Sequence, residues 1–219
     1  MLKNVLLPDS CRTSRDLCPE KKDKHMEIKQ LEQKDKVITF FGEIKSATVE
    51  NAIREIVKIN LSDRDYVEKC RRWAVENGQD PSPARLTPIE FYLSTGGGTC
   101  YDGMALHDVI ESSGTPVEVI CTGKIMSMGV VVALGAKVRK AYRNTTFMIH
   151  QVKGLTIGTL REMEDSVAEA SRINDMIFRI NREKTSITED QLNEVLLRQK
   201  DWFMTAEEAL ELGILTELL

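Results

Sequence analysis

The 219-residue chain lacks a basic excess: 30 Lys and Arg face 34 Asp and Glu, for a net charge of −4. A surface built to neutralise phosphates needs the opposite balance, so nucleic acid is not an expected partner. Long apolar runs are also missing. The most apolar one, "MGVVVALGA" at 128–136, is less than half of the ~20 residues that cross a bilayer. The five cysteines have no regular spacing, which suggests free thiols in a reducing compartment and no disulfide framework. Cys11 and Cys18 have no His or Cys at ligand spacing, so no metal site is expected. Phosphate-loop signatures are absent too. "STGGGT" at 94–99 is not followed by Lys-Ser or Lys-Thr, and Tyr101 stands where G-x-G-x-x-G needs glycine. The N-terminal "MLKNVLLPDSCRTSR" is interrupted by Pro8 and Asp9 and makes a poor signal peptide. The expected location is cytoplasmic. Histidine is scarce, with three in the chain: His25, His107 and His150.

What is present reads as one α/β domain behind a charged arm. Residues 1–34 include "PEKKDKH" and show no period, whereas 35–219 carry the structural signals. "KVITFFGEI" is β-branched and aromatic, a strand ending at Gly42. In "SATVENAIREIVKIN", Val49, Ile53 and Ile56 recur at helical spacing. The stretch 63–87 predicts a separate short helix around 66–76, then the breakers Gly78, Pro81 and Pro83. "PIEFYLS" is a second strand, "YDGMALHDVIESS" a helix, "PVEVICTG" a third strand and "SMGVVVALGA" a buried helix. Two short strands come next in "KVRKAYRNTTFMIHQV", with Asn144 at their turn. Alternation of this kind points to a mostly parallel sheet. From Leu160, apolar residues recur every three or four positions to Ile180, a helix of some 25 residues and roughly 37 Å. That exceeds what one small domain covers, so part of this stripe is expected to meet another subunit. "TEDQ" at 188–191 and "TAEE" at 205–208 are capping boxes, the second opening a helix that closes at Gly213.

Three features carry chemistry. Ser127 follows the strand Val117 to Cys121 and Gly123, at the start of a helix. There it is either an N-cap or a nucleophile beside unpaired backbone N–H groups. His107 reads as a partly exposed helical residue. His150 ends the strand "FMIHQ", where a side chain can be aimed into a cleft or simply hydrogen-bonded. The glycines of "STGGGT" form a bare turn or present the Gly98 N–H to a carbonyl oxygen.

"GKIMSMG", "FMIHQ", "GGGTCYDGM" and "KDWFMTAEEALELGILTELL" together resemble the ClpP family of barrel-forming serine peptidases, over residues 36–219. The resemblance implies a crotonase-like β-α-β superhelical fold with a long protruding handle helix. It implies Ser127 as nucleophile, His150 as base and Asp201 as acid, with the Gly98 and Met128 N–H groups as oxyanion hole. No metal or cofactor is implied for this chain, and ATP belongs to an unfoldase partner of the AAA+ type. Peptides and unfolded proteins are the implied substrates, and a heptameric ring or double ring the implied assembly. The chain departs from the family where Gly96 replaces a proline, where Gln199 and Lys200 replace a charged pair, in the long 63–87 segment and in the N-terminal arm. The order Ser, His, Asp and Ile125 in place of an elbow glycine set it apart from the α/β-hydrolases. The rival readings are a crotonase-fold acyl-thioester hydratase or isomerase, which would need a carboxylate near its substrate, and a catalytically silent scaffold subunit.

Overall fold

In the computed structural model, residues 36–81, 85–198 and 201–219 are described. The charged arm at 1–34 lies outside them, as do Gln199 and Lys200. The strands are β1 (Val37–Phe41), β2 (Ile89–Thr95), β3 (Val117–Met126), β4 (Val138–Ala141), β5 (Thr146–Ile149), β6 (Trp202–Met204) and β7 (Glu217–Leu218). Among the described residues the helices are α1 (Ser46–Glu76), α2 (Cys100–Glu111), α3 (Met128–Leu134), α4 (Leu160–Lys184), α5 (Glu189–Arg198) and α6 (Ala206–Glu211).

The sheet runs β1-β2-β3-β4-β7, parallel throughout, with β5 also parallel to β3 and β6 antiparallel to β5. Parallel neighbours need crossover connections, and α1 and α2 supply them between β1, β2 and β3. Phe91 and Leu93 on β2 and Val119, Cys121 and Ile125 on β3 have no exposed surface. Every residue of α3 is buried, as expected of a helix apolar on all sides.

Three expectations need correction. The helix from Ser46 does not break near residue 60; it continues unbroken for 31 residues to Glu76. Asn60 and Asp63 both lie inside this helix and are turned to the chain entering β3. Asn60 Oδ1 accepts from Ser113 Oγ and Thr115 N, both at 3.0 Å. The buried Asp63 carboxylate accepts from Lys36 Nζ at 2.6 Å and Thr115 Oγ1 at 2.5 Å. A buried charge persists only when so partnered.

Nor does β3 end at Cys121. It runs to Met126, and the register with β2 jumps between Leu93↔Cys121 and Thr95↔Ile125. Gly123 therefore sits in a bulge and does not end the strand; a bulge bends its strand and re-aims the residues beyond it. The first half of β3 pairs with β4, and the second half, Lys124 to Met126, pairs with β5.

His107, expected to be partly exposed, is 3% exposed, because its face of α2 packs on α3. Its Nδ1 lies 2.9 Å from Asp108 Oδ1.

Both capping boxes are formed, at Thr188 with Gln191 and at Thr205 with Glu208. Along α4 the apolar stripe divides. Ile173, Ile177 and Ile180 are buried, while Leu160 and Val167 are 74% and 65% exposed.

Candidate active site

The bulged strand delivers Ser127 to its place. At φ 54° and ψ −123° it is the one non-glycine with positive φ among the described residues. Such a conformation costs of order 1–3 kcal/mol and persists only where the surroundings impose it. Here its N–H donates to Met148 O at 2.8 Å and its carbonyl accepts from Val130 N at 3.0 Å. The Ser127 side chain makes no capping bond to α3, which removes the N-cap alternative. Its hydroxyl turns instead to His150, with Oγ 2.8 Å from Nε2.

His150 directly follows β5, which pairs with the end of β3; adjacent parallel strand ends thus bring the two side chains together. If Nε2 accepts from Ser127, as a general base requires, the proton of the neutral ring sits on Nδ1. That nitrogen is buried and has no hydrogen-bond partner. It lies 3.4 Å from Asp201 Oδ1, beyond the usual N–H···O range of about 2.7–3.2 Å. Serine, histidine and aspartate are brought to one place, but the last contact is not drawn tight.

A second partner of Asp201 lies beside it, one that no sequence motif signals. Lys153 Nζ donates to the same Asp201 Oδ1 at 2.8 Å. This hydrogen bond, more than any other influence, holds the Asp201 carboxyl below its ordinary value. Burial pushes the His150 ring below the usual imidazole range and the Lys153 cation adds to this, with Asp201 opposing both. In the sequence Lys153 is a lone cation in a loop; only its distance of three positions from His150 could have drawn attention.

The glycine loop supplies backbone donors. Gly98 bridges Ile44, and the bonds of that bridge are Ile44 N to Gly97 O and Thr99 N to Ile44 O, both 2.9 Å. In such a parallel bridge the Gly98 N–H points away from Ile44. At φ 152° a side chain here would put Cβ 2.1 Å from Ile44 O, so only glycine fits. Met128 is the first residue of α3, where an N–H has no helical acceptor. Gly98 and Met128 line, with Ser127 and His150, a cavity of about 230 Å³ whose wall includes Val131 and Ile177. None of its lining residues is an aspartate or glutamate.

Among the described residues one cluster has metal-ligand types within reach of one another, His107, Asp108 and Glu111. None of them lines this cavity, and Lys184 already pairs with Glu111. No helix of the described residues is long and apolar enough to cross a membrane.

Fold and site together define a class: crotonase-like α/β chains that carry a serine–histidine pair where a central strand turns into a buried helix. The family model described as Clp protease matches residues 82–219. Over 133 residues, 60% of its length, the chain is 30% identical to the ATP-dependent Clp protease proteolytic subunit of Deinococcus radiodurans, and it spans 64% of that relative. A solved structure of a mutant ClpP1 from Listeria monocytogenes is similar in fold, with a TM-score of 0.66 at 22% identity, covering 90% of this chain and 95% of that one. The chain belongs to the Clp protease family.

Proposed function

We propose that the chain is a serine endopeptidase subunit of a self-compartmentalised barrel protease. The observation that carries this reading is Ser127 Oγ at 2.8 Å from His150 Nε2, on a backbone conformation that a cap would not need. Serine becomes a competent nucleophile when a neighbouring base takes its proton. His150 would accept that proton as Oγ attacks the peptide carbonyl, then return it to the leaving amine. Asp201 would orient the imidazole and stabilise its cation. The Gly98 and Met128 N–H groups would receive the oxyanion. Water would release the acyl group from Ser127 by the same route.

The assembly is a homo-oligomer, a heptameric ring or double ring, in the cytoplasm. Supporting this, the start of α4 and the loop before it expose Leu155, Ile157, Leu160 and Val167, and exposed apolar side chains grouped in this way mark interaction surfaces. Peptides and unfolded proteins are the substrates, and an ATP-driven AAA+ unfoldase is the partner that would deliver folded ones.

The hydratase or isomerase alternative fits less well, because the cavity offers no carboxylate. A silent scaffold subunit is separated by chemistry. A fluorophosphonate should label the purified protein at Ser127, and the label should be lost in His150→Ala. No labelling at Ser127 over hours would remove the peptidase reading.

A further inference from the structure

The contact between Lys153 and Asp201 has a consequence for the proposed peptidase, on which this inference rests. One carboxylate oxygen, Asp201 Oδ1, faces two nitrogens. Lys153 Nζ is at hydrogen-bond distance, 2.8 Å, and His150 Nδ1 stands off at 3.4 Å. The imidazole nitrogen that a triad acid should hold is thus buried and unpartnered, while a cation occupies the acid. Among the described residues Lys153 and Asp201 are the charged groups that act on the His150 ring. The Lys153 side chain is 58% exposed, and an ion pair this open to water is weak. It biases the position of Asp201 and does not lock it. Lys153 also lines the cavity that holds Ser127.

We propose that Lys153 is a positioning residue that draws Asp201 away from His150, so that its charge restrains the proposed base and tunes the pH at which the enzyme works. It does so in two ways. Its ammonium occupies the oxygen that would accept from Nδ1, and its charge disfavours a second cation on the ring nearby. Both effects keep His150 uncharged to lower pH and weaken support for the imidazolium that forms as Ser127 attacks. Removing the cation reverses both. Asp201 is then free to accept from Nδ1, the imidazolium is favoured, and the pH at which His150 loses its proton rises.

The test uses the assembled protein and an uncharged fluorogenic peptide, with kcat and kcat/KM followed against pH for wild type, Lys153→Met and Lys153→Arg. The acid limb of kcat/KM reports the base in the free enzyme. In Lys153→Met that limb should move to higher pH, while the plateau kcat rises roughly tenfold, the worth of one charge-assisted hydrogen bond. The ratio of mutant to wild-type rate should therefore grow with pH. Lys153→Arg, which keeps the charge and the donor, should keep the wild-type limb. Profiles of Lys153→Met that superimpose on wild type would overturn the proposal. So would a lower plateau with the limb unmoved, which would make Lys153 a mere anchor for Asp201. Fluorophosphonate labelling of the same samples separates the two failures. Labelled Ser127 with coincident pH profiles sinks the role of Lys153 alone, whereas unlabelled Ser127 in every sample sinks the peptidase and this inference with it.

Discussion

The two ends of the proposed triad are built differently. Ser127 and His150 stand at the ends of β3 and β5, neighbouring parallel strands buried deep in the sheet; Phe147, in β5, and Ile125, in β3, are fully buried. Asp201 precedes β6, a three-residue strand that among the described residues pairs only with β5 and leaves Phe203 56% exposed. The proposed nucleophile and base are fixed by packing, which holds side chains to fractions of an ångström because cores are close-packed. The proposed acid sits on a light edge, where one surface lysine hydrogen-bonds its carboxylate. On the proposed mechanism the tight end would set whether the reaction occurs, and the loose end how fast and at what pH.

The largest effects should come from the tight end. Ser127→Ala or His150→Ala should lower peptide hydrolysis by about 10⁴-fold or more, since each acts as part of one unit. Assembly should be untouched, because neither side chain holds the core. Turnover within tenfold of wild type in either variant would mean that the geometry is not catalytic. Gly98→Ala should cost about 10²- to 10³-fold, the range for losing one oxyanion donor. Its methyl cannot fit against Ile44 O, so the loop must move and take the N–H with it. A Gly98→Ala enzyme with wild-type kcat would show that this N–H is not used.

Asp201→Asn should cost less, about 10²-fold, short of the roughly 10⁴-fold seen where the carboxylate–imidazole bond is fully made. The pH dependence has a definite sign. His150 must be uncharged to act, and Asp201 raises its pKa against burial and Lys153. Loss of the carboxylate therefore moves the acid limb to lower pH, opposite to the shift expected for Lys153→Met. A limb that moves upward in Asp201→Asn would refute the electrostatic account of the loose end.

Much of the tight end was legible in the sequence, and less of the loose end. Ser127, His150 and Asp201 lie in short contiguous motifs, and a motif can be read without knowing the fold. The capping boxes at Thr188 and Thr205 were legible for the same reason, because their bonds span three residues. What escaped depends on partners distant in the chain. Lys153 meets Asp201 across 48 residues. The continuity of α1 depends on Asn60 and Asp63 finding Ser113 and Thr115, more than 50 residues on. The burial of His107 results from α3 packing over α2, which no local pattern reports. The extension of β3 past Gly123 was missed because a glycine in a strand reads as a stop when it can equally be a bulge.

The smallest effect sharpens the comparison most finely, because it disturbs the loose end without touching any reacting group. Thr205 follows β6 at once and caps α6. Its Oγ1 accepts from Glu208 N at 3.2 Å, and its N–H donates to Glu208 Oε2 at 2.7 Å. Thr205→Ala removes the first bond and leaves the second. Loss of such a cap costs about 1 kcal/mol, which for a domain of this size lowers the thermal midpoint by roughly 2–4 °C. Ala206 and Ala209 have no exposed surface, so α6 stays docked against the core and holds the end of β6. Hydrolysis should therefore remain within about threefold of wild type, a change of about 0.7 kcal/mol in the barrier. Thermal unfolding and peptide kinetics on the same preparation decide the matter. If activity falls as far as in Asp201→Asn while the midpoint barely moves, the position of the acid depends on this cap, and the difference between the two ends lies in α6, not in the shortness of β6.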